Sequence, residues 1–289
     1  MQVCRTKADI RTLLDGWRRD GAPIVLAPTM GFLHDGHLSL MRLARGRAGA
    51  QGKVIASIFV NPTQFGPGED FDSYPRDEAR DLDMLRSEGV DAVFAPDARE
   101  VYDPAAQTIV EPVELAKILI GKLRPGHFRG VATVVTKLFN ILRPDAAVFG
   151  EKDYQQLAVI RTMTRDLDMD IEIIGAPIAR EADGLAMSSR NIRLSPADRA
   201  AAPILARALD EAATLAPTGI TASRLRSHVR ATLEAEPRAH VRSVDIRDAA
   251  TLDSLSGPLT RPAVILLAVS FGPVFLIDNR VVHPASEVP

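Results

Sequence analysis

Residues 27–38 read Ala27-Pro28-Thr29-Met30-Gly31-Phe32-Leu33-His34-Asp35-Gly36-His37-Leu38. An apolar run, residues 23–27, comes just before the turn, and an amphipathic run, residues 38–43, comes just after it. This order predicts a strand, a glycine-containing turn and a helix that starts near Gly36. In an open parallel sheet, ligands collect at the carboxyl end of such a strand. The first N–H groups of the helix are unpaired and its dipole end is positive, so the turn can receive a phosphate.

Two histidines sharpen this interpretation. His34 and His37 are three residues apart, so they lie on one side of the first helical turn. Gly36 between them lets a polyphosphate approach the backbone closely, and an imidazole can donate a hydrogen bond or a proton where charge builds up. The spacing is also compatible with two solvated histidines at a helix start. A metal pair is disfavoured because no Cys or third His stands nearby in the sequence.

The first part of the chain alternates apolar strands with amphipathic helices. We expect strands at 54–60, 92–95, 146–149 and 170–174, and helices at 9–20, 77–88, 112–119, 131–142 and 154–166. Residues 123–130 are expected to form a loop. A strand–helix alternation of this kind predicts an α/β fold, a Rossmann-like doubly wound parallel sheet with helices on both faces.

After Arg190 the character of the sequence changes. An Ala-rich helix is predicted from Ser195 to about Ala216, with a kink or a late start at Pro203, and a second helix at 222–234. Strands are predicted at 241–246, 263–269 and 274–277, and the short turn between the last two favours an antiparallel sheet. We therefore expect a nucleotide-binding domain at 1–186 and a smaller C-terminal α+β domain at 187–289.

Composition limits the classes of function. The chain has 289 residues, 46% of them apolar and 25% charged, with a net charge of −2, so there is no electrostatic case for a nucleic acid or an anionic membrane as partner. The apolar runs are too short to cross a bilayer, and the N-terminal residues lack an apolar core of signal-peptide length. Cys4 is the only cysteine, which fits a reducing compartment. We expect a cytoplasmic protein.

Further polar side chains follow other predicted strands. Lys152, in the turn 150–153, could reach a phosphate bound by the first turn, and the cluster 187–190 offers two hydroxyls and a guanidinium that suit polyphosphate oxygens. Gln64 and Gln156 follow strand ends, and an amide can both donate to and accept from a small hydroxy acid. Taken singly, each of these groups is more typical of an exposed polar surface or linker than of a binding site. The segment 124–130 could be an anion-binding loop or an ordinary surface turn.

Together these segments form an ordered set of motifs. P-T-M-G-x-L-H-x-G-H (28–37), F-V-N-P-x-Q-F (59–65), R-P-G-H-F-R-G-V (124–131), F-G-E-K-D-x-Q-Q (149–156) and G-L-A-M-S-S-R-N (184–191) occur in this order, followed by 245–248 and 276–279. In these motifs the chain closely resembles the pantothenate synthetase (pantoate–β-alanine ligase) family of the H-x-G-H nucleotidyl-transferring superfamily, and the resemblance extends over essentially the whole chain.

The resemblance implies roles for particular residues. His37, His34 and Lys152 would be catalytic, with His37 as the proton donor. Residues of three segments and one backbone position would bind ATP: Met30, Gly31, Phe32, Leu33, His34, Asp35, Gly36, His37, Gly150, Glu151, Lys152, Asp153, Ala179, Met187, Ser188, Ser189 and Arg190. Gln64 would contact pantoate and β-alanine, and Gln156 would contact pantoate. Phe32 and Thr63 depart from the residues that are frequent in the family, and they could alter the shape of the pocket.

The implied reaction is an ATP-dependent condensation of (R)-pantoate with β-alanine through a pantoyl adenylate, giving pantothenate, AMP and pyrophosphate. Mg²⁺ would bridge phosphate oxygens with no protein metal site, and the family resemblance implies a homodimer. One alternative is another H-x-G-H superfamily enzyme, a nucleotide adenylyltransferase, which joins AMP to a phosphate. Another is a non-catalytic module that binds a nucleotide or tRNA, although the near-neutral charge argues against tRNA.

Overall fold

Strand β2 (Ile24–Thr29) lies in the middle of a parallel sheet, and its side chains pack alternately in two hydrophobic cores, one on each face of the sheet. In the computed structural model, which describes residues 1–69 and 71–284, Ile24 and Leu26 pack in one core, and Val25 and Ala27 pack in the other. Successive side chains of a strand point to opposite faces. The continuous apolar run is therefore that of a strand with helices on both sides.

The parallel sheet has six strands. They are β1 (Gln2–Cys4), β2, β3 (Lys53–Ile58), β4 (Ala92–Phe94), β5 (Ala146–Gly150) and β6 (Glu172–Ala176), and their spatial order is β1-β4-β3-β2-β5-β6. Chain order runs outward from β2 through β3 on one side, and β5 and β6 lie on the other. The switch in direction therefore falls between β2 and β5, which pair directly. Ligand sites of doubly wound sheets lie at this switch.

Within residues 1–69 and 71–177, seven α-helices accompany this sheet. They are α1 (Lys7–Arg19), α2 (Asp35–Ala48), α3 (Glu78–Ser87), α4 (Ala98–Val101), α5 (Leu119–Leu123), α6 (His127–Leu142) and α7 (Tyr154–Asp166). Side chains of α1 and α6 pack in the core that contains Leu26, whereas side chains of α2 and α3 pack in the core that contains Val25. No helix among residues 1–69 and 71–284 is both long and apolar enough to cross a membrane.

The described residues from Ile178 onward form most of a smaller α+β body. It comprises α8 (Pro196–Ala201), α9 (Ile204–Leu215), α10 (Ala222–Glu234), β7 (His240–Asp248), β8 (Ala263–Phe271) and β9 (Val274–Val282). The three strands form an antiparallel sheet in the order β7-β8-β9. The predicted break at Pro203 falls between α8 and α9. The predicted fold class is confirmed.

The chain divides into two compact units. The first contains Met1–Glu151 and Gln155–Pro177, and the second contains Lys152–Tyr154 with the described residues from Ile178 onward. The predicted boundary between residues 186 and 187 lies inside the second unit. The assignment of a nucleotide-binding role to residues 1–186 stays a prediction.

Two predictions near residue 120 are wrong. The segment 112–119 is not one helix: it contains a short 3₁₀ turn, Leu115–Lys117, before α5. The side chain of Gln155 bonds the carbonyls of Leu115 and Ile118 and the N–H of Ile120, so a tertiary contact replaces helical bonding. Helix α6 starts at His127 rather than Val131, because Gly130 is helical here instead of ending the loop.

Strand β1 is absent from the prediction, β6 is displaced along the chain and β9 extends past its predicted end, whereas the other strands agree with their predicted limits to within two residues. Strand β1 was not predicted, because three residues are too short to show a period. Strand β6 lies two residues further along the chain than predicted. Strand β9 continues to Val282, although polar Asp278 and Asn279 predicted its end at residue 277. Both polar side chains are buried.

Candidate active site

A carboxylate from α3 accepts backbone hydrogen bonds from the turn after β2 and stabilises its conformation. Gly31 and Phe32 both have positive φ, 80° and 51°, and this conformation directs two successive N–H groups to one point. The side chain of Asp81 accepts from the Phe32 N–H at 2.6 Å and from the Leu33 N–H at 2.7 Å. Burial raises the pKa of Asp81, although both backbone bonds act in the opposite direction. Arg80 donates to the Leu33 carbonyl at 3.0 Å.

Helix α2 follows directly, with His34 as its N-cap and Asp35 as its first residue, one residue earlier than predicted. The imidazole rings of His34 and His37 stack, with their centroids 4.1 Å apart and their planes at 43°. Nδ1 of His37 accepts the His34 N–H at 3.3 Å. An accepting Nδ1 carries no proton, so the neutral ring carries its proton on Nε2. His37 is thereby fixed as a donor through Nε2.

Gln64 lies in the 3₁₀ turn Pro62–Gln64 after β3. Its backbone carbonyl and its side-chain amide both have polar partners. Its backbone carbonyl lies 2.9 Å from Nδ1 of His127. Its side-chain Oε1 accepts from Asn61 at 3.1 Å, and its Nε2 lies 3.1 Å from the sulfur of Met30. The Asn61 contact orients the amide so that Nε2 is the donor. Gln64 and Met30 thus connect the ends of β3 and β2.

The segment 124–130 packs against the turn Pro62–Gln64 and bonds to its backbone. A Cβ on Gly130 would lie 2.3 Å from the carbonyl oxygen of Thr63, so only glycine lets α6 approach the turn this closely. Arg124 forms an ion pair with Glu69 and approaches the Gln64 carbonyl at 3.4 Å. The hydrogen bond from Arg124 lowers the pKa of Glu69. The Arg-rich segment is therefore a helix start that braces Gln64.

Gly150 ends β5 and Glu151 follows it at the switch point of the sheet. The two adjacent glutamines of α7 differ in their surroundings. Gln155 is buried and makes the three backbone bonds described above, whereas Gln156 is half-buried. Within the first unit, the β2 turn and Gly150 lie at the carboxyl ends of neighbouring strands, and Gln64 contacts the first of them.

The other predicted site residues belong to the second unit. Lys152 is mostly buried, with 20% of its side chain exposed, and Asp153 lies beside it, their charged atoms 4.0 Å apart. The Lys152 carbonyl accepts from the side chain of Asn279 at 2.9 Å. The hydroxyl of Tyr154 donates to the Ala249 carbonyl at 2.6 Å.

Met187 to Arg190 continue from a hairpin in that same unit. Arg180 pairs with Ala186 in an isolated antiparallel bridge, and the Met187 N–H donates to the Ala179 carbonyl at 2.9 Å. The Arg190 N–H donates to Oγ of Ser188 at 3.3 Å. Ala179 and Met187 are thus hydrogen-bonded neighbours, and a role of this segment in binding stays a prediction. Met187, Ser188, Ser189 and Arg190 are all half-buried.

The motifs of the sequence do not include the role of two residues that shape the first unit's site. Asp81 carries no local signal, since it lies in the middle of an amphipathic helix. Asn61 had one: an Asn-Pro pair directly after a buried strand is typical of a turn cap. Buried Asn61 accepts from Thr63 and from the Tyr102 hydroxyl at 2.9 Å, and burial raises the pKa of Tyr102.

The chain as a whole matches one family of known proteins. The family model described as pantoate-beta-alanine ligase matches residues 2–281. Pantothenate synthetase of Solidesulfovibrio magneticus is 48% identical over 291 residues, which cover 100% of both chains. That of Heliobacterium modesticaldum is 53% identical over 269 residues, covering 92% of this chain and 93% of the relative.

Solved structures agree in fold. The crystal structure of pantothenate synthetase from Thermus thermophilus superposes with a TM-score of 0.92 at 43% identity, covering 98% of this chain and 100% of that one. Pantoate-beta-alanine ligase from Francisella tularensis, complexed with beta-gamma ATP and beta-alanine, gives a TM-score of 0.79 at 33% identity and covers 97% of both chains. With a family model matched over nearly its whole length and relatives at about half identity, the chain belongs to the pantoate–beta-alanine ligase family.

Proposed function

We propose that this protein condenses (R)-pantoate with β-alanine at the expense of ATP, giving pantothenate, AMP and pyrophosphate. The observation that carries the proposal is family membership over residues 2–281, joined to an H-x-G-H turn at the switch point of the sheet. The relative from Francisella tularensis was solved with an ATP species and β-alanine, which supports ATP and β-alanine as substrates here. A nucleotide adenylyltransferase, the alternative, belongs to another family.

ATP is assigned to the β2 turn (30–37), the segments 150–153 and 187–190, and Ala179. Helix α2 supports this assignment, because its first N–H groups and the Nε2 proton of His37 can face a phosphate. The N–H groups of Phe32 and Leu33 are already bonded to Asp81, so these two residues would contact ATP through other atoms. His34, His37 and Lys152 are assigned as the catalytic residues.

Pantoate and β-alanine are assigned to Gln64, and pantoate also to Gln156. The orientation of Gln64 supports its role, because Asn61 engages Oε1 and the sulfur of Met30 engages Nε2, whose second hydrogen would donate to an acid oxygen. A donor fixed in advance costs little free energy to order when the ligand binds.

The chemistry has two steps. A carboxylate oxygen of pantoate attacks the α-phosphorus of ATP, and the bond to pyrophosphate breaks. The amine of β-alanine then attacks the acyl carbon, loses a proton, and AMP leaves. The first step needs positioning and charge neutralisation more than covalent help. His37 donates through Nε2, and Lys152 and Arg190 supply positive charge. Shielding from water protects the acyl adenylate between the steps.

Mg²⁺ is proposed to arrive with the nucleotide. In the part of the chain that the structure describes, no group of three or more His, Cys, Asp or Glu side chains is arranged to hold a metal ion. The ion would then take its ligands from phosphate oxygens and water, as Mg²⁺ often does. When bound, it neutralises phosphate charge.

The oligomeric state and the cellular compartment are also proposals. We infer a homodimer in the cytoplasm. Ile109 and Val113 of the first unit, 58% and 66% exposed, are large apolar side chains of the kind that an interface covers. Cys4 is buried and forms no disulfide, which suits a reducing compartment. Sedimentation at two protein concentrations tests the dimer.

Product identification tests the function. The enzyme is mixed with ATP, pantoate and β-alanine, and pantothenate, AMP and pyrophosphate are expected in equal amounts. Without β-alanine, a quench experiment should show about one equivalent of pyrophosphate per site, because the shielded adenylate stays bound. Formation of ADP, or of a dinucleotide, would contradict the proposal. Absence of pyrophosphate until β-alanine is added would contradict the order of steps.

A further inference from the structure

Strand β9 carries two buried polar residues that no role yet explains. Asp278 and Asn279 are 2% and 4% exposed and lie across from Leu267 and Leu266 of β8. On the face of β9 that includes Asn279, Phe275 and Ile277 are only half-buried. A buried carboxylate or amide costs free energy unless it is bonded, so the partners of these two side chains indicate their purpose.

Asp278 holds the base of the hairpin that leads to Ser188 and Arg190. Its two oxygens accept from both terminal nitrogens of Arg180, at 2.7 and 3.0 Å, and Arg180 also donates to the Gly184 carbonyl at 3.0 Å. A two-pronged pair of this kind fixes orientation as well as distance. Arg180 therefore joins β9 to the first strand and to the turn of the hairpin, which runs directly into residues 188–190.

Asn279 bonds the backbone of the segment that contains Lys152. Its Nδ2 donates to the Lys152 carbonyl at 2.9 Å, and its backbone N–H donates to the Asp278 carboxylate at 2.7 Å. Successive side chains of a strand point to opposite faces. One dipeptide therefore contacts the backbone of Lys152 on one side and the hairpin of residues 179–187 on the other.

We propose that Asp278 and Asn279 are positioning residues for the formation of the acyl adenylate. They act through Lys152 and through the 188–190 segment, and they hold both in one frame within the second unit. The inference rests on the proposed function, since it requires those groups to bind ATP. A displacement of about 1 Å at a reacting group can cost about 10²-fold in rate, so a lost backbone anchor is expected to slow the chemical step.

The test is a set of double-mutant cycles on the full-length enzyme. Pyrophosphate formation from ATP and pantoate is measured by rapid quench for Asn279→Ala, Lys152→Ala and the double variant. Asn279→Ala is expected to be about 10- to 100-fold slower, with kcat changed more than the KM for ATP. If Asn279 acts through Lys152, it adds nothing once Lys152 is truncated. Asp278→Asn should likewise be non-additive with Arg190→Ala but additive with Lys152→Ala.

Two further variants separate positioning from packing. Asn279→Asp keeps the shape but places an acceptor against the Lys152 carbonyl, so it should be as slow as Asn279→Ala. It also replaces Asn279→Ala in the cycle if the alanine variant does not fold. Arg280→Ala is the matched control: it is the next residue of β9, its partner is Asp210, and its rate should equal that of the wild type.

The outcomes decide between the inference and the proposed function. Wild-type rates in Asn279→Asp, or additive effects of Asn279→Ala and Lys152→Ala, overturn the inference alone. A variant that melts earlier and loses both half-reactions in parallel, the second assayed with supplied pantoyl adenylate and β-alanine, also overturns it, because that pattern is structural. If the wild-type enzyme forms no pyrophosphate, the proposed function fails and the inference falls with it.

Discussion

The backbone N–H of Leu33 donates a 2.7 Å hydrogen bond to the carboxylate of Asp81, which lies 48 residues further along the chain. The preceding N–H, that of Phe32, reaches the second oxygen of the same carboxylate. Successive N–H groups in this conformation form a concavity that binds anions. Here the side chain of Asp81 occupies the concavity. The bend that it stabilises leads directly into α2, which begins at Asp35.

Replacement of this carboxylate should loosen the turn. In Asp81→Asn one of the two N–H groups loses its acceptor, and a buried unsatisfied group costs about 1–3 kcal/mol. We expect a lower free energy of unfolding by that amount and slower pyrophosphate formation, measured by urea titration and by quench. Asp83→Asn is the control, since that side chain is 79% exposed on the same helix. Equal stability of the two variants would show that the Asp81 bonds are not needed.

The Glu69–Arg124 pair predicts a pH dependence. Arg124 lowers the pKa of Glu69 below its ordinary 4.5, so the pair stabilises the folded state above that value. This contribution is lost as the pH falls from 4.5 through the lower, folded-state pKa. Glu69→Gln should therefore be less stable than the wild type by about 1 kcal/mol at neutral pH, because both side chains are only partly exposed.

The difference in unfolding free energy should narrow towards zero in acid, where the wild-type carboxylate is also neutral. Urea titrations between neutral pH and pH about 3 measure it. Glu114→Gln is the control, since its ion pair with Lys117 is largely exposed and should contribute little at any pH. A constant gap for Glu69→Gln across this range would show that its ion pair does not stabilise the fold.

The parts of the fold that the sequence predicts are those with a local cause. The strand–turn–helix of residues 24–48 follows from an apolar run, two glycines and an amphipathic helix, and each signal lies within a few residues of its effect. The roles of Asp81 and Asn279 could not be predicted in this way. Each bonds the backbone of a residue far away in the sequence, and a polar residue within an element resembles a solvated one until its partner is known.

The same reason explains the errors near residue 120. Periodicity favoured a helix at 112–119, but Gln155 bonds that backbone from a distant helix. The sequence predicts a loop at Gly130, whereas in the structure this glycine lets α6 approach Thr63 closely. For the candidate site, residue types and order were predictable. The tautomer of His37 and the orientation of Gln64 do not follow from residue type, because hydrogen bonds to neighbouring groups set both.

Fixation of the His37 tautomer predicts an order of activity among its variants. His37→Ala should keep the fold and lose about 10²–10³ in rate, the usual effect of removing one preorganised donor. The side-chain nitrogen of a glutamine can approximate Nε2, whereas asparagine offers only a substitute for Nδ1, the atom that accepts from His34. His37→Gln should therefore be faster than His37→Asn, as measured by pyrophosphate formation at matched melting temperature. The reverse order would show that the Nδ1 contact matters more than the Nε2 donor.

The neighbouring glutamines of α7 give the last prediction, since the two side chains have different tasks. Gln155→Leu leaves two carbonyls and one N–H of the 115–120 segment without their bonds. At about 1–3 kcal/mol for each buried unsatisfied group, the variant should lose on the order of 3 kcal/mol in unfolding free energy. Its pantoate affinity, measured on the fraction that remains folded, should change little.

Gln156→Leu should show the opposite pattern. Its side chain is half-buried, so stability should change by less than about 0.5 kcal/mol. If its amide binds pantoate, the hydroxy acid loses a partner worth about 1–3 kcal/mol, which is roughly 5- to 150-fold in affinity. Calorimetric titration with pantoate and, separately, with ATP measures this, and ATP should bind as in the wild type. If Gln156→Leu weakens both ligands equally, or neither, then Gln156 does not belong to the acid pocket, whatever Gln155→Leu does to stability.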